Sequence, residues 1–167
     1  SEHRKYIDMK KVIKKAKKTS NKVPKKIDLP VEIMNVVISG TQKRGVLKKM
    51  WLQRKEMLHV ATVNPEFVME ARTNNRFSQS LKQCLTVADG WGIVWASKLQ
   101  GESSKVQVDR ISGTWLSEQI VAHAAENGEK VFLLGAASGV AEQAAANLSK
   151  IYPQLQIAWY SGAQTVK

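Results

Sequence analysis

Along the chain, short runs of apolar residues alternate with stretches in which apolar positions recur every three or four residues, the spacings of buried strands and of one-faced helices. Residues 31–39, Val-Glu-Ile-Met-Asn-Val-Val-Ile-Ser, are β-branched and apolar and predict a first strand. Residues 43–57 place Val46, Leu47, Met50 and Trp51 on one helical face and Lys48, Lys49, Arg54 and Lys55 elsewhere. The run 58–63 predicts a buried strand stopped by Asn64-Pro65, where Asn64 suits a helix N-cap and Pro65 the first helical turn. Helices are predicted over 65–72 and 77–84, the second placing Cys84 in the core beside Leu81 and Leu85.

The same alternation continues. A second short run, residues 85–88, ends at Asp89-Gly90-Trp91-Gly92, and a helix follows through Val94, Trp95 and Leu99. After a polar loop over 100–109, Arg110-Ile111-Ser112-Gly113 opens a helix that stops at Asn127-Gly128. Residues 130–134, Lys-Val-Phe-Leu-Leu, read as the clearest buried strand, and the Gly135 to Gly139 turn leads into a helix ended by Pro153. Residues 155–159 predict a last strand. Strand and helix alternate with few hairpin signals, which predicts an α/β fold with a mainly parallel sheet. Ligands of such sheets bind beyond the carboxyl ends of the strands, so Thr62 to Asn64, Asp89-Gly90 and Gly135 to Gly139 are the candidate positions.

Charge separates the chain into two parts. Of 167 residues, 43% are hydrophobic and 24% charged, a globular composition, and the net charge is +12. Residues 1–30 hold 11 Lys/Arg against 3 Asp/Glu, whereas residues 61–167 hold 9 of each, so the excess lies in the first 60 residues. A body that gripped nucleic acid would carry the excess itself, which speaks against nucleic acid as a partner. Residues 1–30 read as a basic arm in which Tyr6, Met9, Ile13 and Ala16 form the apolar stripe of a short amphipathic helix; an anionic membrane surface and a solvated tail both suit it. Residues 31–167 form the folded domain. No apolar run reaches membrane-spanning length, the charged N-terminal stretch has no apolar run after it and is not expected to be a secretory signal, and the lone Cys84 leads to the expectation of a reducing, cytoplasmic setting.

Few residues offer chemistry. Asp89, flanked by Gly90 and Gly92, could serve as a general base or hold a sugar hydroxyl; it could equally be a turn residue and helix cap. Gly135 and Ser138 could seat a phosphate on free N–H groups, although the loop lacks the dinucleotide and Walker fingerprints and a plain tight turn fits as well. Arg110 is a forked donor suited to a diphosphate, or a surface arginine. His59, inside an apolar strand, and His123, on an apolar helix face, read as packed, and His3 belongs to the arm. No Asp-x-Asp metal signature is present.

Thr62-Val63-Asn64-Pro65-Glu66-Phe67, Ala88-Asp89-Gly90-Trp91-Gly92, Arg110-Ile111-Ser112-Gly113, Val131 to Gly135 with Gly139-Val140-Ala141-Glu142, and Tyr152-Pro153 occur together in this order. In this combination the chain, over roughly residues 31–163, resembles the WecG/TagA/CpsF glycosyltransferases, glycosyltransferase family 26. The resemblance implies a Rossmann-like α/β domain with flanking helices. It also implies transfer of N-acetylmannosamine or its uronic acid from a UDP donor to a lipid-linked amino sugar at the cytoplasmic face of a bacterial membrane. Asp89 matches the suspected general base, Thr62 and Asn64 the Thr-x-Asn-Pro positions of the same pocket, and Arg110 the arginine of the Arg-x-x-Gly element. The family is described as working without an obligatory metal, so no cofactor is expected beside the UDP-sugar. Family members continue with a Gly-rich turn, a Pro-Lys-Gln-Glu element and a basic aromatic segment. The chain stops at Gln164-Thr165-Val166-Lys167, which implies a C-terminally incomplete domain. Thr114 stands where an acidic residue is frequent, and Ala136 where Gly is frequent. The alternative is a non-catalytic α/β module that binds nucleotide or nucleic acid with its basic arm, and a homo-oligomer is left open.

Overall fold

The computed structural model describes residues 29–53, 57–99, 106–135 and 137–162. The predicted arm helix, His3, Arg54, Lys55, most of the 100–109 loop, Ala136 and the C-terminal five residues lie outside the described residues. In chain order the elements are β1 (Val31–Ile33), β2 (Val36–Ile38), α1 (Lys43–Leu52), β3 (Val60–Val63), α2 (Pro65–Thr73) and α3 (Asn75–Lys82). Then come β4 (Leu85–Ala88), α4 (Trp91–Leu99), α5 (Gly113–Asn127), β5 (Lys130–Leu134), α6 (Val140–Ile151) and β6 (Gln156–Tyr160). The chain is α/β with parallel ladders and flanking helices, consistent with a Rossmann-like fold. Among the described residues no helix is long and apolar enough to cross a membrane.

The expected first strand is a hairpin. Met34 and Asn35 both take positive φ (48° and 69°), the two-residue turn whose twist suits adjacent antiparallel strands. Val31, Ile33, Val36 and Ile38 all face the core, so both halves of the run are buried on the same side. Only Asn35 signals this turn in the sequence, because Met34 is an unusual residue at positive φ. Beyond β2 the chain continues as Ser39-Gly40 alongside β4, where Gly40 N–H donates to the Thr86 carbonyl at 2.9 Å. The Thr86 hydroxyl donates to the Val37 carbonyl at 2.6 Å and accepts from Ser39 N–H at 3.0 Å. A Cβ at Gly40 would lie 2.5 Å from Val46 Cγ2, so only glycine lets α1 pack this close.

β3 and β4 pair in parallel, Val60 opposite Leu85 through Val63 opposite Ala88. β4 is buried along its whole length, with β3 on one edge and Ser39-Gly40 on the other. β5 and β6 form a separate parallel ladder. Here the expectation of a fully buried strand fails: Val131 packs on α5 and α6, but Phe132 and Leu134 are 60% and 73% exposed. The ladder is covered on one face only, and an apolar run records that a strand can be buried on both faces without showing that it is.

Smaller corrections have local causes. Cys84 follows α3 at the surface edge and is half-buried, its thiol donating to the Ser80 carbonyl, so it is not a core thiol. His59 precedes β3 and is exposed, its Nε2 3.2 Å from Met57 Sδ, because the ladder begins one residue later. His123 is packed as expected, stacked on Trp51 with ring centroids 3.9 Å apart. Helix α5 begins at Gly113 with Ser112 as its N-cap, so Arg110 lies in an extended lead-in and does not head the helix.

Candidate active site

Two strand ends and one helix start meet. Because β3 and β4 are parallel and in register, Asn64 and Asp89 leave the sheet side by side, and Asp89 N–H donates to the Val63 carbonyl at 2.8 Å. The segment 109–111 crosses these ends: Asp109 N–H donates to the Thr41 carbonyl and Ile111 N–H to the Ala88 carbonyl, both at 2.7 Å. Ile111 is fully buried between Val46, Leu85, Val87 and Leu116, and this anchor presents Arg110 outward. Ser112 Oγ then accepts from Trp115 N–H and starts α5.

The carboxylate of Asp89 reaches across this junction. Its Oδ2 accepts from the Gly113 N–H at 3.3 Å, so the side chain meets the positive end of a fifteen-residue helix. Thr62 is at the same place: a Cβ on Gly113 would lie 3.7 Å from both Thr62 Oγ1 and Cγ2. Gly90 takes φ 98°, and the space where its side chain would be is open, so the backbone beside Asp89 is accessible to a ligand. Asn64 is committed locally, its Oδ1 accepting from Phe67 N–H and its Nδ2 donating to Glu66, which makes it the N-cap of α2. Asp89, Thr62, Asn64, Gly90 and Arg110 are thus brought to one end of the β3–β4 ladder.

An open groove of about 450 Å³ adjoins them, lined by Lys43, Trp91, Asp109, Arg110, Ser112 and Trp115. Its two cations stand over aromatic rings: Lys43 Nζ is 4.8 Å from the Trp115 ring centre and Arg110 Cζ 6.0 Å from that of Trp91. Such stacking holds a flexible side chain without consuming its hydrogen-bond donors. Asp109 is occupied in positioning, its Oδ2 accepting from the Lys43 N–H and its Oδ1 from Gln107 Nε2. Lys43, Trp91, Asp109 and Trp115 were not singled out from the sequence. They are 6 to 72 positions apart, and the one available signal was the place of Trp91 between two glycines beside Asp89.

Gly135 and Ser138 do not line this groove. Gly135 N–H closes the β5–β6 ladder on the Tyr160 carbonyl at 3.0 Å, and Ser138 is exposed in the turn before α6. Both Gly135 and Gly139 take positive φ, which is the tight-turn role.

Comparison with known proteins gives the family. Residues 31–166 match the family described as Glycosyl transferase WecG/TagA/CpsF family. The chain is 35% identical over 111 residues to an N-acetylglucosaminyldiphosphoundecaprenol N-acetyl-beta-D-mannosaminyltransferase of Staphylococcus aureus strain NCTC 8325 / PS 47, and equally to that of strain COL. The match covers 66% of this chain and 42% of each relative, so the chain spans about two fifths of the length of these relatives. With the profile covering everything from β1 to the end of β6, the chain belongs to the WecG/TagA/CpsF family of glycosyltransferases.

Proposed function

We propose that this chain carries the reacting core of a transferase that moves N-acetylmannosamine, or its uronic acid, from a UDP donor to a polyprenyl-diphosphate-linked amino sugar. The observation that carries the reading is the placement of Asp89, between the end of β4 and the start of α5, beside a groove with two cations. The relatives' name, a mannosaminyl transfer to a diphosphoundecaprenol-linked sugar, supplies the substrate class.

The reaction follows from the groups present. An acceptor hydroxyl loses its proton to the Asp89 carboxylate, and its oxygen forms a bond to the anomeric carbon of the donor sugar. The bond from that carbon to UDP breaks, and its electron pair leaves on the diphosphate. Arg110 and Lys43, stacked on Trp91 and Trp115, meet the charge that develops there. Thr62 hydrogen-bonds the sugar next to Asp89, Gly90 lets the ligand approach the backbone, and Asn64 holds the α2 start in place. Positive charge comes from side chains, so no metal cofactor is required and a chelator is expected to leave turnover unchanged. The reading places the protein at the inner face of the membrane as a peripheral enzyme.

The test is a panel of UDP-sugars offered with a lipid-diphosphate-linked amino sugar, following UDP release and the lengthened lipid. Acceptor-dependent consumption of UDP-N-acetylmannosamine, lost in Asp89→Asn, is the expected outcome. Absence of transfer from any UDP-sugar, together with salt-sensitive nucleic-acid binding that survives Asp89→Ala, would overturn it.

A further inference from the structure

Helix α4 is apolar on two sides. Ile93, Val94 and Ser97 are buried against the sheet. Trp91, Trp95 and Leu99, four residues apart, line the other side and are 59%, 64% and 86% exposed. Together they span about 12 Å of helix at 1.5 Å per residue. Two tryptophans and a leucine in one exposed row are more than the scattered apolar residues a protein surface ordinarily carries.

The charge on α4 itself is positive only. α4 holds no acidic residue, Lys98 is exposed on it, and Arg110 stands over the Trp91 ring. Among the described residues, Asp89 and Asp109 near the groove are hydrogen-bonded within the fold, Asp89 with Gly113 N–H and Asp109 with Lys43 N–H and Gln107. Tryptophan favours the boundary between headgroups and acyl chains, and basic side chains beside it favour anionic headgroups. Trp91 is also a wall of the groove, so the row is continuous with the candidate site.

We propose that Trp91, Trp95 and Leu99 dock α4 on an anionic lipid surface, turning the mouth of the groove toward the bilayer. The docking itself stands on α4; that it presents the site to a lipid-linked acceptor rests on the function proposed above. The exposed face of β5 and β6, with Phe132, Leu134 and Tyr160, is a second apolar surface whose residues do not line the groove, and it serves as the internal comparison.

A probe at position 95 separates the surfaces. In a Cys84→Ser background, Trp95→Cys and, separately, Phe132→Cys carry a bimane fluorophore on the full chain. Phosphatidylglycerol vesicles with brominated acyl chains are expected to quench the label at 95 and leave that at 132 unchanged. Phosphatidylcholine vesicles are expected to quench neither. Quenching at 132 alone, or at neither position while the protein still floats with vesicles, overturns the proposal. So does a dimer by light scattering that shields position 95 and disappears in Trp95→Ala/Leu99→Ala.

That double variant supplies the second readout. Its vesicle partitioning and its turnover of long-chain acceptor in vesicles are expected to fall about tenfold, with a soluble short-chain acceptor turned over as in the parent. An equal fall on both acceptors overturns the docking role. Loss of all transfer in the parent, with position 95 still quenched, instead removes the proposed function and leaves the docking intact.

Discussion

β4 and β5 are both unbroken apolar strands that feed a helix, yet one is sealed and the other half open. β4 has a neighbour on each edge and is buried at all four positions, whereas β5 has β6 beside it and one face covered by α5 and α6. The candidate site gathers at the sealed ladder. The difference teaches that rigidity and chemistry go together here: Asp89 is held by its N–H on the Val63 carbonyl and by its carboxylate on the Gly113 N–H. Arg110 is anchored through its neighbour Ile111, whose N–H donates to the Ala88 carbonyl, and Thr62 lies in β3 opposite Val87 of β4. At the open ladder Gly135 and Gly139 turn the chain at positive φ.

The largest effect is expected at Asp89. Asp89→Asn keeps an acceptor for Gly113 N–H and is expected to lower transfer by about 10³-fold, within the usual range for a general base, with the melting temperature nearly unchanged. Near-normal turnover in this variant would remove the base assignment. Next come the strands themselves. Leu85→Ala in β4 is expected to cost about 2–5 kcal/mol in urea unfolding, while Leu134→Ala in β5 stays within about 0.5 kcal/mol. Equal losses would mean that the two ladders are equally sealed in solution.

Arg110→Ala should raise the KM for the UDP-sugar about 10–100-fold, corresponding to loss of hydrogen bonds to a charged group, with folding intact because the side chain is exposed. An unchanged KM would place the diphosphate elsewhere. The smallest effect is expected at Gly128, which ends α5 at φ 67° with its N–H on the Ala124 carbonyl. Gly128→Ala should cost about 1 kcal/mol by calorimetry and leave KM untouched, since α5 is positioned for the site from its other end.

The legible part of the sequence was local. The strands 85–88 and 130–134 have the predicted boundaries, Asn64-Pro65 caps and opens α2 as read, and Gly128 stops α5. Asp89, Thr62 and Arg110 were found because strand ends and short motifs mark them. What stayed hidden depends on tertiary pairing. The Met34-Asn35 turn sits inside a β-branched run, and the exposure of β5 depends on how many neighbours its ladder has. Lys43 and Trp115 were missed because a cation and the ring beneath it, 72 positions apart, share no spacing that a linear pattern can reveal.

The bond between Asp89 and Gly113 is made by a backbone N–H at the first position of α5, so it can be removed through the backbone and not only through the carboxylate. First helical positions accept proline, whose ring removes the N–H and keeps the helical φ. Ser112 before it already has φ −74° and ψ 151°, the conformation that a following proline demands. The space beside Gly113 is in ordinary contact with Thr62. Gly113→Pro therefore does more than cut the tether: its ring Cδ takes the direction of the lost N–H, so the carboxylate has to turn away from the start of α5 while the backbone of the first helical turn is kept.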